Sequence, residues 1–568
     1  MATFMMRLSI VLGCLALGLV GASAHTAGSM APRDAPGIVT TSPLVSGAVA
    51  KAYVVAFAAS GGTSPYSWSV VSGQLPAGLT LSSGGVLDGK PEIAGTYGFR
   101  LRVTGSDAAF SERDFTLTID PFRRYFAEGA SSGFFDCYFA LVNPGATSAD
   151  VTLTFLRSDS LIYSHTETVP PRTRRTVNTK DVPGMFFAPA FSTVLESNVE
   201  VVADRTMSWD STGYGSHAET SIQAPAQTWY LAEGATQNGF QLYYCIENPN
   251  PDPVDVTVTY LRRSPNPPFD ITYQGIPGHT RKTIYVNGED ARLAWGDVSA
   301  VITSTTPGRP IIVERAMYLD NAGVMFNAGH VSAGVTAPAT EWFLAEGATV
   351  STFDMYITLA NPGAVSGTAT ITYMLTSGRN VVKTYPVAAG SRQTVWVNGE
   401  HDDADPTFVL SWVSLSAKIQ STVPIVVERS MWWSAVPGGP WHEAHNVVGT
   451  TETGTQWALA DGEQGGSRAT DTYILVANTS SFAADVGLTV LGEAGPISFA
   501  VSSVPANSRK TFWMGDWTDV IGTKFGAVVL SLPTAAGTAQ IVVERAMYSN
   551  AGGVTWAAGT GVVATKLK

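Results

Sequence analysis

A two-part pattern occurs four times in this chain and determines its organisation. Each copy opens with a signature of the type Trp-Phe-Leu-Ala-Glu-Gly-Ala-Thr, complete at residues 342–349 and reduced at residues 457–462. Each copy closes with Glu-Arg-x-Met or Asp-Arg-Thr-Met, at residues 204–207, 314–317, 428–431 and 544–547. The opening carboxylates occupy positions 128, 233, 346 and 461, which is the spacing of whole domains and not of short solenoid units. The sequence therefore predicts four tandem repeats, at 121–226, 227–339, 340–454 and 455–568.

Residue patterns inside the repeats predict β-structure throughout. Segments such as 254–260 and 368–373 are rich in β-branched residues, and Asn-Pro turns precede them. No segment has the 3.6-residue periodicity of an amphipathic helix. We therefore expect an all-β protein, a tandem array of Ig-like antiparallel β-sandwiches with roughly six to eight strands in each repeat. Each repeat is expected to fold independently, and the stack to hold its end modules far apart.

The N-terminal residues predict export from the cytoplasm. Arg7, the apolar run 8–20 and the small residues 22–24 have the order of a secretory signal peptide, 1–24, so the mature chain would begin at His25. Residues 25–36 form a Pro-containing linker. Beyond the signal peptide, no apolar segment is long enough to span a membrane. The expected location is secreted, extracellular or at the cell surface.

The net charge argues against some classes of partner, and the cysteine positions argue against a disulfide framework shared by the repeats. The net charge of −12 and the absence of basic runs argue against nucleic acid and anionic membranes as partners. Cys137 and Cys245 remain after signal removal, but they occupy different positions within their repeats. Buried free thiols are therefore favoured over a bridge between repeats.

Two segments resemble known families. The motifs at 61–68, 75–81, 84–89 and 95–99 occur in the order typical of the bacterial putative-Ig family, so the module at 37–120 resembles that cadherin-like β-sandwich. The rest of the chain is similar to Trp-x-Leu-Ala-Glu-Gly / Glu-Arg-x-Met repeats of secreted bacterial proteins of unknown role. The first resemblance implies a fold, and neither implies a reaction.

The recurring charges are predicted to form structural ion pairs. Strand alternation places the closing Arg on the apolar side, where a guanidinium without a partner would be costly. The opening carboxylate recurs as faithfully as this Arg, which suggests one pair inside each repeat. The predicted pairs are Glu128 with Arg205, Glu233 with Arg315, Glu346 with Arg429, and Asp461 with Arg545.

Catalytic and metal-binding patterns are weak. The histidines, including His217, His330 and His445, do not recur in register, and no nucleophile or phosphate-binding motif is present. The acidic segment 400–405 has oxygen ligands suited to calcium, but a solvated loop is the favoured interpretation. We therefore predict no catalytic residues, no metal site and no cofactor.

A tryptophan cluster leaves two functional interpretations open. Trp432, Trp433 and Trp441 lie close together in the third repeat, where a place in the core is the favoured interpretation and a sugar-stacking surface is the alternative. The favoured function is a non-enzymatic spacer, adhesion or matrix protein that contacts a cell-surface or matrix component, either protein or polysaccharide. Carbohydrate binding through exposed tryptophans is the alternative.

Overall fold

The structure is a computed structural model that describes residues 34–210, 215–321 and 323–568. The described residues form antiparallel sheets, apart from one short parallel pairing in the N-terminal module and one between repeats 2 and 3. The helical elements in these ranges are 3-10 helices at Thr179–Asp181, Val286–Gly288, Ala291–Leu293, Val397–Gly399, Met514–Asp516 and Thr518–Val520. No helix in the described part of the chain is long and apolar enough to cross a membrane. The predicted signal peptide lies outside the described residues.

The N-terminal module is a small β-sandwich. Its strands are β1 Gly37–Ile38, β2 Gly47–Ala48, β3 Tyr53–Ala56, β4 Ala59–Ser60, β5 Ser67–Gly73, β6 Leu79–Leu81, β7 Val86–Gly89, β8 Gly95–Thr104 and β9 Phe110–Asp120. The sheet β2-β9-β8-β5 faces the sheet β3-β7-β6. Alternate residues of β8 and β9, among them Phe99, Leu101, Phe115 and Leu117, are buried between the sheets.

The first two repeats each contain eight strands in two groups of four, and in repeat 2 one group is joined to a sheet of repeat 3 by the short parallel pairing. Repeat 1 comprises β10 Phe122–Phe126, β11 Phe135–Asn143, β12 Ala149–Arg157, β13 Ile162–Val169, β14 Thr173–Asn178, β15 Phe191–Ser197, β16 Val202–Trp209 and β17 Gly215–Thr220. Repeat 2 comprises β18 Thr228–Leu231, β19 Phe240–Asn248, β20 Val254–Arg263, β21 Phe269–Ile276, β22 Thr280–Tyr285, β23 Val298–Ser304, β24 Ile312–Asn321 and β25 Val324–Ala333. In repeat 1 the outer sheet has the order β10-β15-β12-β13 and the inner sheet the order β14-β11-β16-β17.

The last two repeats keep this plan with small additions. Repeat 3 comprises β26 Ala339–Leu344, β27 Phe353–Asn361, β28 Gly367–Leu375, β29 Asn380–Val387, β30 Ser391–Trp396, β31 His401–Asp402, β32 Asp405–Val409, β33 Leu415–Ser434 and β34 Trp441–Val448. Repeat 4 comprises β35 Gln456–Leu459, β36 Glu463–Gln464, β37 Asp471–Asn478, β38 Ala484–Leu491, β39 Pro496–Val504, β40 Ser508–Trp513, β41 Thr523–Lys524, β42 Gly526–Thr534, β43 Gly537–Thr538, β44 Ile541–Ala551, β45 Val554–Val563 and β46 Thr565–Lys566. The long strand β33 pairs with both sheets of repeat 3.

Recurrent polar side chains bind backbone atoms that the turns leave unpaired. Asn143 donates from its amide to the carbonyl oxygens of Thr147 and Val169 and accepts from the N–H of Gly145. Asn248, Asn361 and Asn478 make equivalent bonds in the other repeats. The recurrent Asn is therefore a turn-fixing residue, because its buried amide satisfies backbone groups that no strand reaches.

The four repeats close into a ring. The last strand of each inner sheet contacts its counterparts in both neighbouring repeats: β17 contacts β25 and β45, and β34 also contacts β25 and β45. Repeat 4 thus packs on repeat 1 as repeat 2 packs on repeat 3. These four strands surround a common line, which we call the ring axis.

The ring confirms part of the expected architecture and corrects the rest. The all-β class with Ig-like antiparallel sandwiches is confirmed. The expected linear stack is wrong for the four repeats, because the fourth repeat returns to contact the first. The N-terminal module contacts repeat 1 through a hydrogen bond from the N–H of Ala94 to the carbonyl oxygen of Asn198. Cys137 and Cys245 are buried and free.

Candidate functional site

The structure places the four predicted Arg residues beside the opening signature of their own repeat. The guanidinium of Arg429 lies 2.9 Å from the carboxylate of Glu346, that of Arg545 lies 3.3 Å from Asp461, and that of Arg315 lies 3.7 Å from Glu233. Arg205 instead donates to the backbone carbonyl oxygen of Glu128 at 2.7 Å. All four guanidinium groups are buried.

A second carboxylate, which the sequence analysis did not assign, comes from the next repeat. Glu314 of repeat 2 binds Arg205 of repeat 1 at 2.7 Å. The pairs Arg315 with Glu428 and Arg429 with Glu544 repeat this contact at 2.6 and 2.7 Å. We call this contact between the closing Arg of one repeat and the closing Glu of the next the inter-repeat clasp.

Each clasp carboxylate has at least two partners in the preceding repeat, an Arg side chain and a backbone N–H group. One oxygen of Glu314 binds Arg205, and the other accepts the N–H of Ala127 at 2.8 Å. Burial alone would lower the pKa of Arg205, but the carboxylates of Glu314 and Glu128 outweigh burial and hold the pKa above its ordinary value. The guanidinium therefore stays charged while it is excluded from water.

Strand alternation explains why Glu and Arg, although adjacent, serve different repeats. Neighbouring residues of a strand point to opposite faces, so Arg315 faces its own opening signature while Glu314 faces repeat 1. The sequence analysis assigned only one face to a core. Both faces are buried, because the second one packs on the preceding repeat. The constant Glu beside the constant Arg was the signal that could have revealed this interface.

The contact between repeats 4 and 1 closes the ring with a shorter side chain. Asp204 stands where the other repeats have Glu, and its Oδ2 accepts the N–H groups of Ala460 and Asp461 at 2.8 and 3.0 Å. Arg174 and Thr206 of repeat 1 add bonds to the carboxylate of Asp461 at 3.0 and 2.8 Å. At this interface, as at the other three, side chains of one repeat therefore bind the opening signature of the repeat before it in the ring.

A second set of arginines explains the recurrent Arg-Thr motif. Each of them donates to carbonyl oxygens in the opening loop of the preceding repeat: Arg174 to Ala460, Arg281 to Gly129, Arg392 to Gly234 and Arg509 to Gly347. The Thr two residues later accepts a hydrogen bond from its Arg in repeats 1, 3 and 4. Burial lowers the pKa of Arg509 to about 10. These arginines are positioning residues of the ring interfaces.

Three histidines do recur in register, contrary to the sequence analysis. His217, His330 and His445 lie opposite Met207, Met317 and Met431 on the inner strands, and Thr560 takes this position in repeat 4. The Nε2 atoms of His217 and His445 lie 3.1 Å from tyrosine hydroxyls of the following repeat. Burial lowers the pKa of all three histidines well below its usual value, so they are neutral parts of the interfaces.

The predicted tryptophan cluster does not form an open surface. Trp432 and Trp433 are each only 2% exposed, and Trp441 is half-buried. Trp432 packs against Phe240 and His330 of repeat 2. The alternative of an exposed sugar-binding platform at these residues is wrong, because Trp432 and Trp433 are buried where neighbouring repeats meet.

Large apolar side chains are instead exposed in one loop of every repeat. Phe187, Trp295, Trp412 and Ile521 are exposed by 68, 69, 69 and 54%. Phe187, Trp295 and Trp412 lie shortly before β15, β23 and β33, and Ile521 lies shortly before β41 and β42. We call these four residues, together with the exposed Tyr285, Trp396 and Trp513 at the ends of β22, β30 and β40, the aromatic face.

The aromatic face and the N-terminal module lie at opposite ends of repeat 1. Phe187 precedes β15, whereas Asn198, which binds the N-terminal module, follows it. Two rings of the face, Trp396 and Trp513, are oriented by hydrogen bonds to carboxylates. Trp396 donates its indole N–H to Asp354 at 3.0 Å, and the neighbouring Trp441 donates to the same carboxylate at 2.8 Å. Trp513 and Trp556 bind Asp471 in the same way at 2.9 and 3.0 Å. These indoles are fixed in orientation while half or nearly half of Trp396 and Trp513 stays exposed.

The carboxylates of the acidic segment 400–405 form ion pairs with basic side chains of the same repeat. Arg379 binds Asp402 and, at 3.2 Å, Asp405. Lys383 lies 2.5 Å from Asp403 and 3.7 Å from Glu400. The described residues contain no group of three or more His, Cys, Asp or Glu arranged to hold a metal ion.

Comparisons with solved structures find only distant similarity. The chain is 16% identical to Thermotoga maritima 1070, with 20% of this chain and 96% of that one covered and a TM-score of 0.18. It is 8% identical to the N-terminal eight Ig domains of Down Syndrome Cell Adhesion Molecule, covering 94% and 60%, with a TM-score of 0.15. It is 10% identical to the Bacteroides ovatus glucan-utilization protein SGBP-B, covering 70% and 100%, with a TM-score of 0.14.

No curated protein matches the chain. Residues 35–120 match the family model described as "Putative Ig domain", which agrees with the sandwich of β1–β9.

Proposed function

We propose that the protein is a secreted, non-catalytic adhesion or matrix protein that binds through the aromatic face. One observation carries this proposal: every repeat exposes a large apolar side chain in the same loop. Isolated exposed apolar residues are common on proteins, but a set repeated at equivalent positions around a ring is a pattern typical of interaction surfaces. The predicted signal peptide supports an extracellular location.

The ring gives this surface its physical advantage. Buried clasps hold the four repeats together, so the four loops are presented in a fixed arrangement. Binding of one loop then brings the other three close to the same partner, which raises the effective concentration of each further contact. Because the N-terminal module binds the other end of repeat 1, it leaves the face free.

Polysaccharide binding is a second candidate, favoured by the indoles of Trp396 and Trp513. Their N–H groups are bonded to carboxylates, so each ring is oriented in advance. A flat apolar ring face of this kind can stack on a sugar ring at little entropic cost. The partner would then be an extended glycan and not a protein.

The test compares retention of the full mature protein on isolated cell envelopes and on insoluble chitin and cellulose. We expect the double variant Trp295→Ala/Trp412→Ala to lose about tenfold or more in affinity, since central aromatic contacts dominate interface energies. Phe110→Ala is the matched control, because Phe110 is 49% exposed on β9 of the N-terminal module, which binds the opposite end of repeat 1. Retention on glycan alone would favour the second candidate, and equal retention of both variants would exclude the face as the binding surface.

A further inference from the structure

The inner strands of the ring present unpaired edges to the axis. Each of β17, β25, β34 and β45 pairs with one strand of its own repeat, on one side only. The opposite edge carries backbone N–H groups that no further strand can satisfy. Some other acceptor must therefore lie at the axis.

One carboxylate takes this role for all four repeats. Glu443 is fully buried, and its Oε2 accepts the N–H of Ser216 at 3.0 Å. Its Oε1 accepts the N–H groups of Gly329 and Ala444 at 3.0 and 2.9 Å. The N–H of Gly559 supplies a further hydrogen bond.

The four donors are equivalent positions of the four repeats. Ser216, Gly329, Ala444 and Gly559 lie opposite Ser208, Tyr318, Trp432 and Tyr548 in the register of the inner hairpins. The donor set therefore has the approximate fourfold symmetry of the ring, whereas the acceptor is present once. At the position of Glu443 the other repeats have Gly215, Ala328 and Ala558, whose small side chains leave room for a single carboxylate.

The chemistry of the donors indicates an anion. All four partners are N–H groups, and a protonated carboxyl would bring a fifth donor with no acceptor among them. No ion pair joins Glu443 to any Lys or Arg in the described ranges at 4.0 Å or less. Converging backbone N–H groups bind anions without a countercharge, as they do in phosphate-binding loops. Burial raises the pKa of Glu443 well above its ordinary value, and the four N–H groups offset part of this rise by stabilising the ionised form.

We propose that the ring axis is a binding site for one small carboxylate anion and that the Glu443 side chain occupies it as a tethered ligand. The ring is then closed by an internal anion as well as by the clasps. Glu443→Ala would empty the site without removing its donors. A free carboxylate such as formate would bind there and stabilise the variant by linkage.

The test measures the thermal unfolding of the full mature chain after it has been refolded in increasing concentrations of sodium formate. We expect Glu443→Ala to melt at a lower temperature than the unmodified protein, and formate to restore at least half of this loss in a saturable manner. Formamide, which is neutral and of similar size, should not do so. Glu247→Ala is the matched control, because Glu247 is also fully buried but neither of its carboxylate oxygens has a hydrogen-bond partner in the described structure.

Two results would overturn the proposal. One is that Glu443→Ala is as stable as the unmodified chain, and the other is that formate stabilises it no more than Glu247→Ala. If Glu443→Ala does not fold unaided, refolding from urea in formate should recover it while formamide fails, and failure in both also counts against the site. Glu443→Gln fills the site with an amide, so it should lose stability and not respond to formate.

Discussion

Single buried charges in this protein differ according to the donors that surround them. Glu443 and the clasp carboxylates each accept two or more hydrogen bonds, whereas Glu247 has none within the described structure. Its equivalents in the other repeats are Val142, Ala360 and Ala477, which are apolar. Glu247 is therefore a residue at which stability is lost without an evident structural gain.

Glu247→Ala should stabilise the protein in a pH-dependent way. In the unfolded chain this carboxyl ionises near its ordinary pKa of about 4.3, but burial holds the pKa in the folded protein well above that value. The folded state therefore loses stability through this residue as pH rises above about 4. We expect the advantage of the variant to grow by up to about 1.4 kcal/mol per pH unit.

Urea denaturation of both proteins at about pH 4, 6 and 8 measures this difference in the free energy of unfolding. Glu452→Ala, at an exposed position, serves as the control and should show no such trend. A difference between Glu247→Ala and the unmodified protein that stays constant with pH would show that Glu247 ionises in the folded state with a partner.

Single-residue patterns predicted which face of a strand a side chain lies on, but not what that face packs against. The apolar composition around Arg205 correctly placed this side chain on a buried face, because alternation is a local property of a strand. Alternation cannot say what the opposite face packs on, so the role of Glu314 was missed. The shared register of the histidines was hidden because the hairpins between the Met and His residues differ in length.

At the scale of elements, the closing strand is the central component of each repeat. In repeat 1 this strand is β16, which pairs with β11 on one side and with β17, the last strand of the inner sheet, on the other. Both faces of β16 are buried. The Arg therefore contacts two carboxylates from two repeats in the clasp of repeat 3. Removing one such guanidinium affects two sandwiches at once.

Arg429→Ala tests this arrangement. The change leaves Glu346 and Glu544 buried without their cation, which should lower the free energy of unfolding by about 3–5 kcal/mol. Arg379→Ala is the matched control in the same repeat, since it breaks an ion pair that is partly exposed to solvent and should cost about 1 kcal/mol or less. Equal losses for the two variants in urea denaturation would mean that burial does not strengthen the clasp.

At the scale of the whole molecule, the interfaces link the repeats more closely than tandem domains usually are. The repeat length predicted four sandwiches in tandem, and the structure adds a sheet that runs from repeat 2 into repeat 3 through the pairing of β20 with β30. The repeat length could not predict ring closure, which depends on contacts between residues hundreds of positions apart, such as Arg174 with Asp461. The sequence predicted that each repeat folds independently. A single repeat would expose or leave unpaired the buried charges that it shares with its neighbours, so we now expect the repeats to fold together.

Ring closure predicts that the chain can be divided into two halves that reassemble. A break between the exposed residues Thr336 and Ala337 separates repeats 1 and 2 from repeats 3 and 4. Each half then leaves buried partners unpaired: Arg315 loses Glu428 and Glu443 loses the N–H groups of Ser216 and Gly329. We expect co-expressed halves to purify as a one-to-one complex, because reassociation restores both interfaces.

The fragment 340–454 alone lacks both neighbours and should show no cooperative unfolding transition. Halves that fold and remain separate, or a cooperatively folded 340–454 monomer, would show that the repeats are independent domains held together only by their linkers.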